Sequence, residues 1–145
     1  MLFAVGATAQ PGPRPRTFWT GGFNQGIAEY STGTFDQAID AGVRIACLPN
    51  GSATIAVQIK GVAPAAGQRL RLIPTTRRAS RAFDFRAGPD GTIAVPRAAR
   101  SPQFRQLWAA LRSGDTLTVR YADESFAVLS LVGAAATLPV RVCGK

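Results

Sequence analysis

VRIACLPNGSATIAVQIK, residues 43–60, alternates twice with a turn between the two runs. Val43, Ile45 and Cys47 fall on one face of an extended chain and Arg44, Ala46 and Leu48 on the other, because successive strand side chains point to opposite sides. Pro49-Asn50-Gly51-Ser52 follows, and Asn50-Gly51 is the dipeptide that most readily takes the positive φ angles of a tight hairpin. The chain then returns with Ile55, Val57 and Ile59 inward and Thr54, Gln58 and Lys60 outward. Two strands paired antiparallel through this turn are the seed of a β-rich domain.

The same period recurs downstream. RLRLIP (69–74), then a basic loop TTRRASR (75–81), then AFDFRAGPDGTIAV (82–95) read as three more strands, with Phe83 and Phe85 alternating against Asp84 and Arg86 and a turn at Pro89-Asp90-Gly91. SPQFRQLWAALRSG (101–114) changes the period: Phe104, Leu107, Trp108 and Leu111 share one side of a helix. Ser101 suits its N-cap, Pro102 its first position and Gly114 its stop, which predicts a helix over about 102–113. DTLTVRYADESFAVLSLV (115–132) closes as a last hairpin, with Leu117, Val119 and Tyr121 on one face and Asp123-Glu124-Ser125 in the turn. GAAATL (133–138) reads as a single helical turn, and VRVC (140–143) as an extended end with Val140 and Val142 on one face.

Upstream, FWTGGFNQGIAEYSTGTFDQAIDAG (18–42) mixes aromatic residues with glycines and has little period, so it reads as one strand plus loops. The total is about seven or eight short strands and one helix. The expected fold is mainly β: an antiparallel β-sandwich or a curved, barrel-like sheet. At 145 residues, 46% hydrophobic and 17% charged, the chain has the size and composition of one folded domain. Residues 17–145 are assigned to it.

Residues 1–16 read differently. Leu2–Ala9 is a short apolar run ending Ala7-Thr8-Ala9, the small-residue pattern of a signal-peptidase site, followed by a proline-rich spacer at 11–15. The run is shorter than a complete signal and has no basic region before it, so the reading is a signal-peptide remnant; an N-terminal strand packed on the domain is the alternative. No run reaches the ~18 apolar residues of a membrane-spanning helix. The two cysteines, Cys47 and Cys143, are far apart and not in a metal-type pair. A disulfide between them is the economical reading, with two buried thiols as the alternative. Closing so long a loop removes roughly 4 to 5 kcal/mol of unfolded-state entropy and points to an oxidising compartment. The tail is expected to cross over or beside the Val43–Leu48 strand and deliver Cys143 to Cys47, with the two Cα atoms about 5 to 6 Å apart.

The chain carries 17 basic residues, 15 of them arginine, against 8 acidic ones, a formal net charge of +9. That excess favours anionic partners, although a GC-rich genome yields the same composition. Arg69, Arg71, Arg77, Arg78, Arg81 and Arg86 crowd one stretch with Phe83 and Phe85, and are the candidate polyanion-binding residues. Arginine with interleaved aromatics suits single-stranded nucleic acid; on an exported protein the same patch meets an envelope glycan, a lipid head group or an acidic protein surface. The plainer reading is a solvated basic loop with both phenylalanines turned to the core.

There is no histidine. That closes Ser-His-Asp and Cys-His mechanisms and removes the commonest metal ligand and the neutral-pH proton shuttle. Asp36, Asp40, Asp84, Asp90 and Asp115 remain as carboxylates for a glycosidase pair, but Asp90, Asp123 and Glu124 sit in turns, Asp115 follows the helix-stopping glycine and Asp84 alternates outward beside Arg86. STGTF (31–35) lacks the lysine and spacing of a phosphate-binding P-loop. No catalytic residue, metal site or cofactor is expected.

FRQLWAALRSGDTLTVRYADESFAVLSLVGAAATL (104–138) combines a helix ending L-x-x-G, a strand, and a hydrophobic strand running into L-x-G-A-x-x-A/T-L. This resembles the C-terminal half of small exported bacterial proteins of the invasion-associated locus B type. The resemblance implies an exported, β-rich envelope protein without a known catalytic site. The expectation is therefore a periplasmic or secreted, non-enzymatic β-domain that binds an envelope component or a protein partner. A nucleic-acid or polyanion-binding module using the 69–86 arginines is the alternative, and a carboxylate-based glycan hydrolase the second.

Overall fold

The computed structural model describes residues 18–34 and 41–145, and the expected signal remnant and spacer lie outside the described residues. In chain order the strands are β1 (Thr20–Asn24), β2 (Ile27–Thr34), β3 (Ala41–Cys47), β4 (Ala53–Gln58), β5 (Arg69–Thr75), β6 (Phe83–Arg86), β7 (Ile93–Val95), β8 (Thr116–Tyr121) and β9 (Phe126–Ser130). Two helices join them, α1 (Pro102–Ser113) and the single turn α2 (Ala134–Thr137). A five-stranded antiparallel sheet runs β1-β2-β3-β4-β7 and a four-stranded one β6-β5-β8-β9. Neither closes into a barrel, so the sandwich is the form the fold takes.

The 43–60 hairpin pairs Val43 with Val57 and Ile45 with Ile55, all buried. Its turn departs from the expectation in one respect. Only Gly51 takes a positive φ; Pro49 and Asn50 fill the central positions while the Asn50 Oδ1 accepts from the Ser52 N–H at 3.0 Å. Across the core, Leu70 and Leu72 of β5, Leu117 and Val119 of β8 and Leu129 of β9 present the matching apolar face. α1 adds Phe104, Leu107, Trp108 and Leu111, all buried, and starts as predicted with the Ser101 Oγ accepting from the Phe104 N–H at 3.2 Å.

Several details correct the sequence reading. The region 18–34 holds two strands, not one: Gln25 and Gly26 both have positive φ (51° and 82°), so they form the tight hairpin turn joining β1 to β2. β1 is exposed throughout, which leaves no apolar alternation to read. The Pro89-Asp90-Gly91 turn does not close a hairpin, since β6 pairs with β5 while β7 pairs with β4, and it carries the chain from one sheet to the other. Phe83 is buried but Phe85 only half-buried.

Gly114 has φ −85°, so α1 does not end in a left-handed cap. The glycine is needed there for space: a Cβ would lie 2.6 Å from Leu131 Cδ1 and 2.9 Å from the Ala110 carbonyl oxygen. The tail is not an extended strand either. Val140 is 77% exposed while Val142 is 8% exposed, and Val142–Gly144 forms a 3-10 turn in which Cys143 has φ 55°. Cys143 is bonded to Cys47 with the Cα atoms 5.8 Å apart, as the spacing argument required. No helix among the described residues is long and apolar enough to cross a membrane.

Candidate anion-binding site

Strand alternation places the basic residues. In β5, Leu70 and Leu72 turn into the core, which sends Arg69 and Arg71 out of the opposite face. Register then decides their neighbours. Arg69 stands opposite Arg86 of β6, and Arg71 stands between Asp84 of β6 and Arg120 of β8. Four guanidinium groups thus share the outer face of the four-stranded sheet, around an open cleft of about 680 Å³ lined by Arg69, Arg71, Asp84, Arg86, Arg120 and Tyr121, among others.

Three of these arginines are oriented by different means. Arg71 Nε donates to Asp84 Oδ1 at 2.7 Å, an ion pair between two exposed side chains that occupies the flank of the guanidinium and leaves its terminal fork to solvent. Arg86 donates through Nη1 to the Gly67 carbonyl at 3.1 Å. Arg120 lies over the Phe126 ring at 5.9 Å from its centroid. Under the cleft, the Tyr121 hydroxyl donates to the Val62 carbonyl at 2.8 Å. Burial first, and then the nearby Asp123 carboxylate, push this phenol up to about 12, so it adds no negative charge near neutral pH.

The six arginines expected to act together therefore divide. Arg69, Arg71 and Arg86 line the cleft, whereas Arg77, Arg78 and Arg81 do not. The latter belong to the loop after β5, closed by the Thr76 N–H donating to Ala79 at 2.8 Å. Arg81 serves the fold: it bonds to Gln106 of α1 and lies over the Phe83 ring at 4.9 Å. Arg120 was missed because it is remote in sequence, although its outward place in TLTVRY beside the buried Val119 and Tyr121 signals it.

The carboxylates considered for catalysis are spread over separate elements. Asp84 is held by Arg71. Asp90 and Asp123 sit below the usual carboxylate range because each accepts hydrogen bonds inside its own turn, from Thr92 and from Ser125. Asp36 and Asp40 lie outside the described residues. Among the described residues no group of His, Cys, Asp and Glu side chains is arranged to hold a metal ion.

A two-sheet antiparallel β-domain with an arginine-lined outer face and a disulfide-tethered tail is the class these features define. The chain belongs to the YfjT family, whose model matches residues 17–138. The tethered Cys143 lies beyond the matched residues. No curated protein and no solved structure matches the chain.

Proposed function

We propose that this protein is an exported, non-enzymatic β-sandwich domain, periplasmic or secreted, that holds an anionic partner on the outer face of its four-stranded sheet. The observation that carries the reading is the convergence of Arg69, Arg71, Arg86 and Arg120 on one cleft. Like charges directly opposite on neighbouring strands destabilise a sheet, and here Arg69 faces Arg86 and Arg71 faces Arg120. A bound anion offsets that repulsion. The Cys47–Cys143 bond supports an oxidising compartment. The non-enzymatic reading is supported by the missing histidine and by the placement of Asp84, Asp90 and Asp123 in structural contacts.

Titration of the oxidised full chain with a heparin-type polyanion at two salt concentrations tests the site. Binding that weakens with salt and is lost in an Arg69→Ala, Arg120→Ala double variant is expected; salt-independent binding, or binding indifferent to these substitutions, overturns it. Mass spectrometry of protein recovered from its native host reads the thiols, and free Cys47 and Cys143 there would remove the argument for export.

A further inference from the structure

The cleft arginines form two rows, not a scattered patch. Arg69 and Arg86 make the first, Arg71 and Arg120 the second. Members of a row are direct cross-strand neighbours with Cβ atoms about 5 Å apart. The rows are two residues apart along β5, a separation of about 7 Å. Each row therefore offers two guanidinium groups to one oxyanion through the donors that the Arg86–Gly67 and Arg71–Asp84 contacts leave unused, the arrangement that suits a phosphoryl group, whose charge and oxygen count exceed those of a carboxylate and so outweigh the Asp84 carboxylate beside the second row.

The rows end after two. Past the first row the chain turns through Ala122, Asp123 and Glu124, and the two carboxylates, with Glu124 at the edge of the cleft itself, repel a further anion. Past the second, the outward positions are Ile73, Thr118 and Val128, paired across the sheet, with exposed Phe126 beside Arg120. A polymer with a charge at every repeat engages the same two rows and gains no further pairing on either side. A compact ligand with two anionic groups fills the site, and the apolar strip of Ile73, Phe126 and Val128 offers contact to the carbon framework that carries them.

We propose that this face binds a bis-phosphorylated group whose two phosphoryl groups lie about 7 Å apart, one on each arginine row. The inference rests on the anion-binding reading above and narrows its ligand. A lipid-linked headgroup and a free sugar bisphosphate share this chemistry.

The test uses the oxidised full chain, with calorimetric titration against inorganic phosphate, a hexose bisphosphate and single-stranded oligonucleotides of increasing length. The hexose bisphosphate is expected to bind about tenfold or more tighter than phosphate at equal ionic strength. Arg69→Ala and Arg71→Ala each lose about tenfold, and Arg69→Lys also weakens binding because an ammonium cannot chelate two oxygens. An Arg77→Ala, Arg78→Ala double variant binds as the parent does. Arg69, Arg71, Arg77 and Arg78 are all solvent-facing, and a single cooperative melt well above the titration temperature in each variant shows that the loss lies in binding and not in folding. Flotation with phosphatidylcholine vesicles carrying a phosphatidylinositol monophosphate, against phosphatidylserine at matched surface charge, separates the sources. Preference for the phosphoinositide vesicles that Phe126→Ala reduces assigns the lipid-linked ligand; hexose bisphosphate binding with no vesicle preference assigns the free one. Equal affinity for phosphate and the bisphosphate, or oligonucleotide affinity that climbs with length through the same arginines, overturns the two-row inference and leaves the anion-binding reading standing. Absence of salt-dependent binding to every anion overturns both.

Discussion

Trp108 donates its indole N–H to the carbonyl oxygen of Pro139 at 2.7 Å, so the central helix of the core holds the chain where the tail leaves the last helical turn. Four residues on, Cys143 is bonded to Cys47 at the end of β3. The tail between these two points contributes little packing of its own: Val140 is exposed and only Val142 is buried. Its conformation is set by its two attachments. Cys143→Ser is expected to cost about 2 to 5 kcal/mol. Hydrogen exchange should show residues 140–145 opening first, while α1 keeps its protection. Uniform loosening of both sheets instead would mean that the bond braces the whole sandwich.

Arg112, on the last turn of α1, donates through Nε to the Leu138 carbonyl at 2.9 Å and through Nη2 to the Ala135 carbonyl at 3.2 Å. It caps the carbonyl end of α2, where a cation also suits the helix dipole. Lysine can supply the charge but not two donors at a fixed angle. Arg112→Ala is expected to cost about 1 to 2 kcal/mol, and Arg112→Lys to recover only part of it, in chemical denaturation followed by tryptophan fluorescence. Full recovery by lysine would reduce the contact to simple charge.

The legible parts of this fold are those whose local chemistry agrees with their burial. α1 was readable to its ends because Ser101, Pro102 and the spacing of Phe104, Leu107, Trp108 and Leu111 all say the same thing. β3 and β4 were readable because one face is buried along their length. β1 has no buried face, and the tail takes its shape from a bond to a residue far away in sequence, so neither leaves a periodic trace. The site divided for a similar reason. Alternation identifies Arg69, Arg71 and Arg86 as outward, but only strand order brings Arg120 beside Arg71 and separates both from Arg77 and Arg78.

Gly114 separates conformational need from spatial need. Its φ of −85° is open to any residue, so a rule based on left-handed caps predicts a harmless substitution. A methyl group would nevertheless press on Leu131 and on the Ala110 carbonyl. Gly114→Ala is expected to cost about 1 to 3 kcal/mol by overpacking, and a Gly114→Ala, Leu131→Ala double variant to show less than the sum of the two single effects. Additive effects in thermal melts would place the strain elsewhere.

Tyr121, together with Tyr30, whose phenol burial also raises, sets the response to alkali. The Tyr121 phenol is pushed from 10.0 up to about 12, chiefly by burial, so above pH 10 the unfolded chain loses this proton while the folded chain keeps it. A group whose folded value is raised contributes stability that is full below the unfolded value and is lost as pH climbs through the folded one. With no histidine in the chain, no side chain with an ordinary value near pH 7 accompanies this contribution. Denaturation midpoints should therefore fall between pH 10 and about 12. Tyr121→Phe also removes the hydrogen bond to the Val62 carbonyl, which lowers stability at neutral pH by about 1 kcal/mol. It should reduce the alkaline slope at the same time, because the phenylalanine has no proton to lose, and leave the part that Tyr30 contributes. The two effects separate in a denaturant series run from pH 7 to pH 11. A variant less stable at neutral pH but with the parent's full alkaline slope would show that Tyr121 is not the group that titrates.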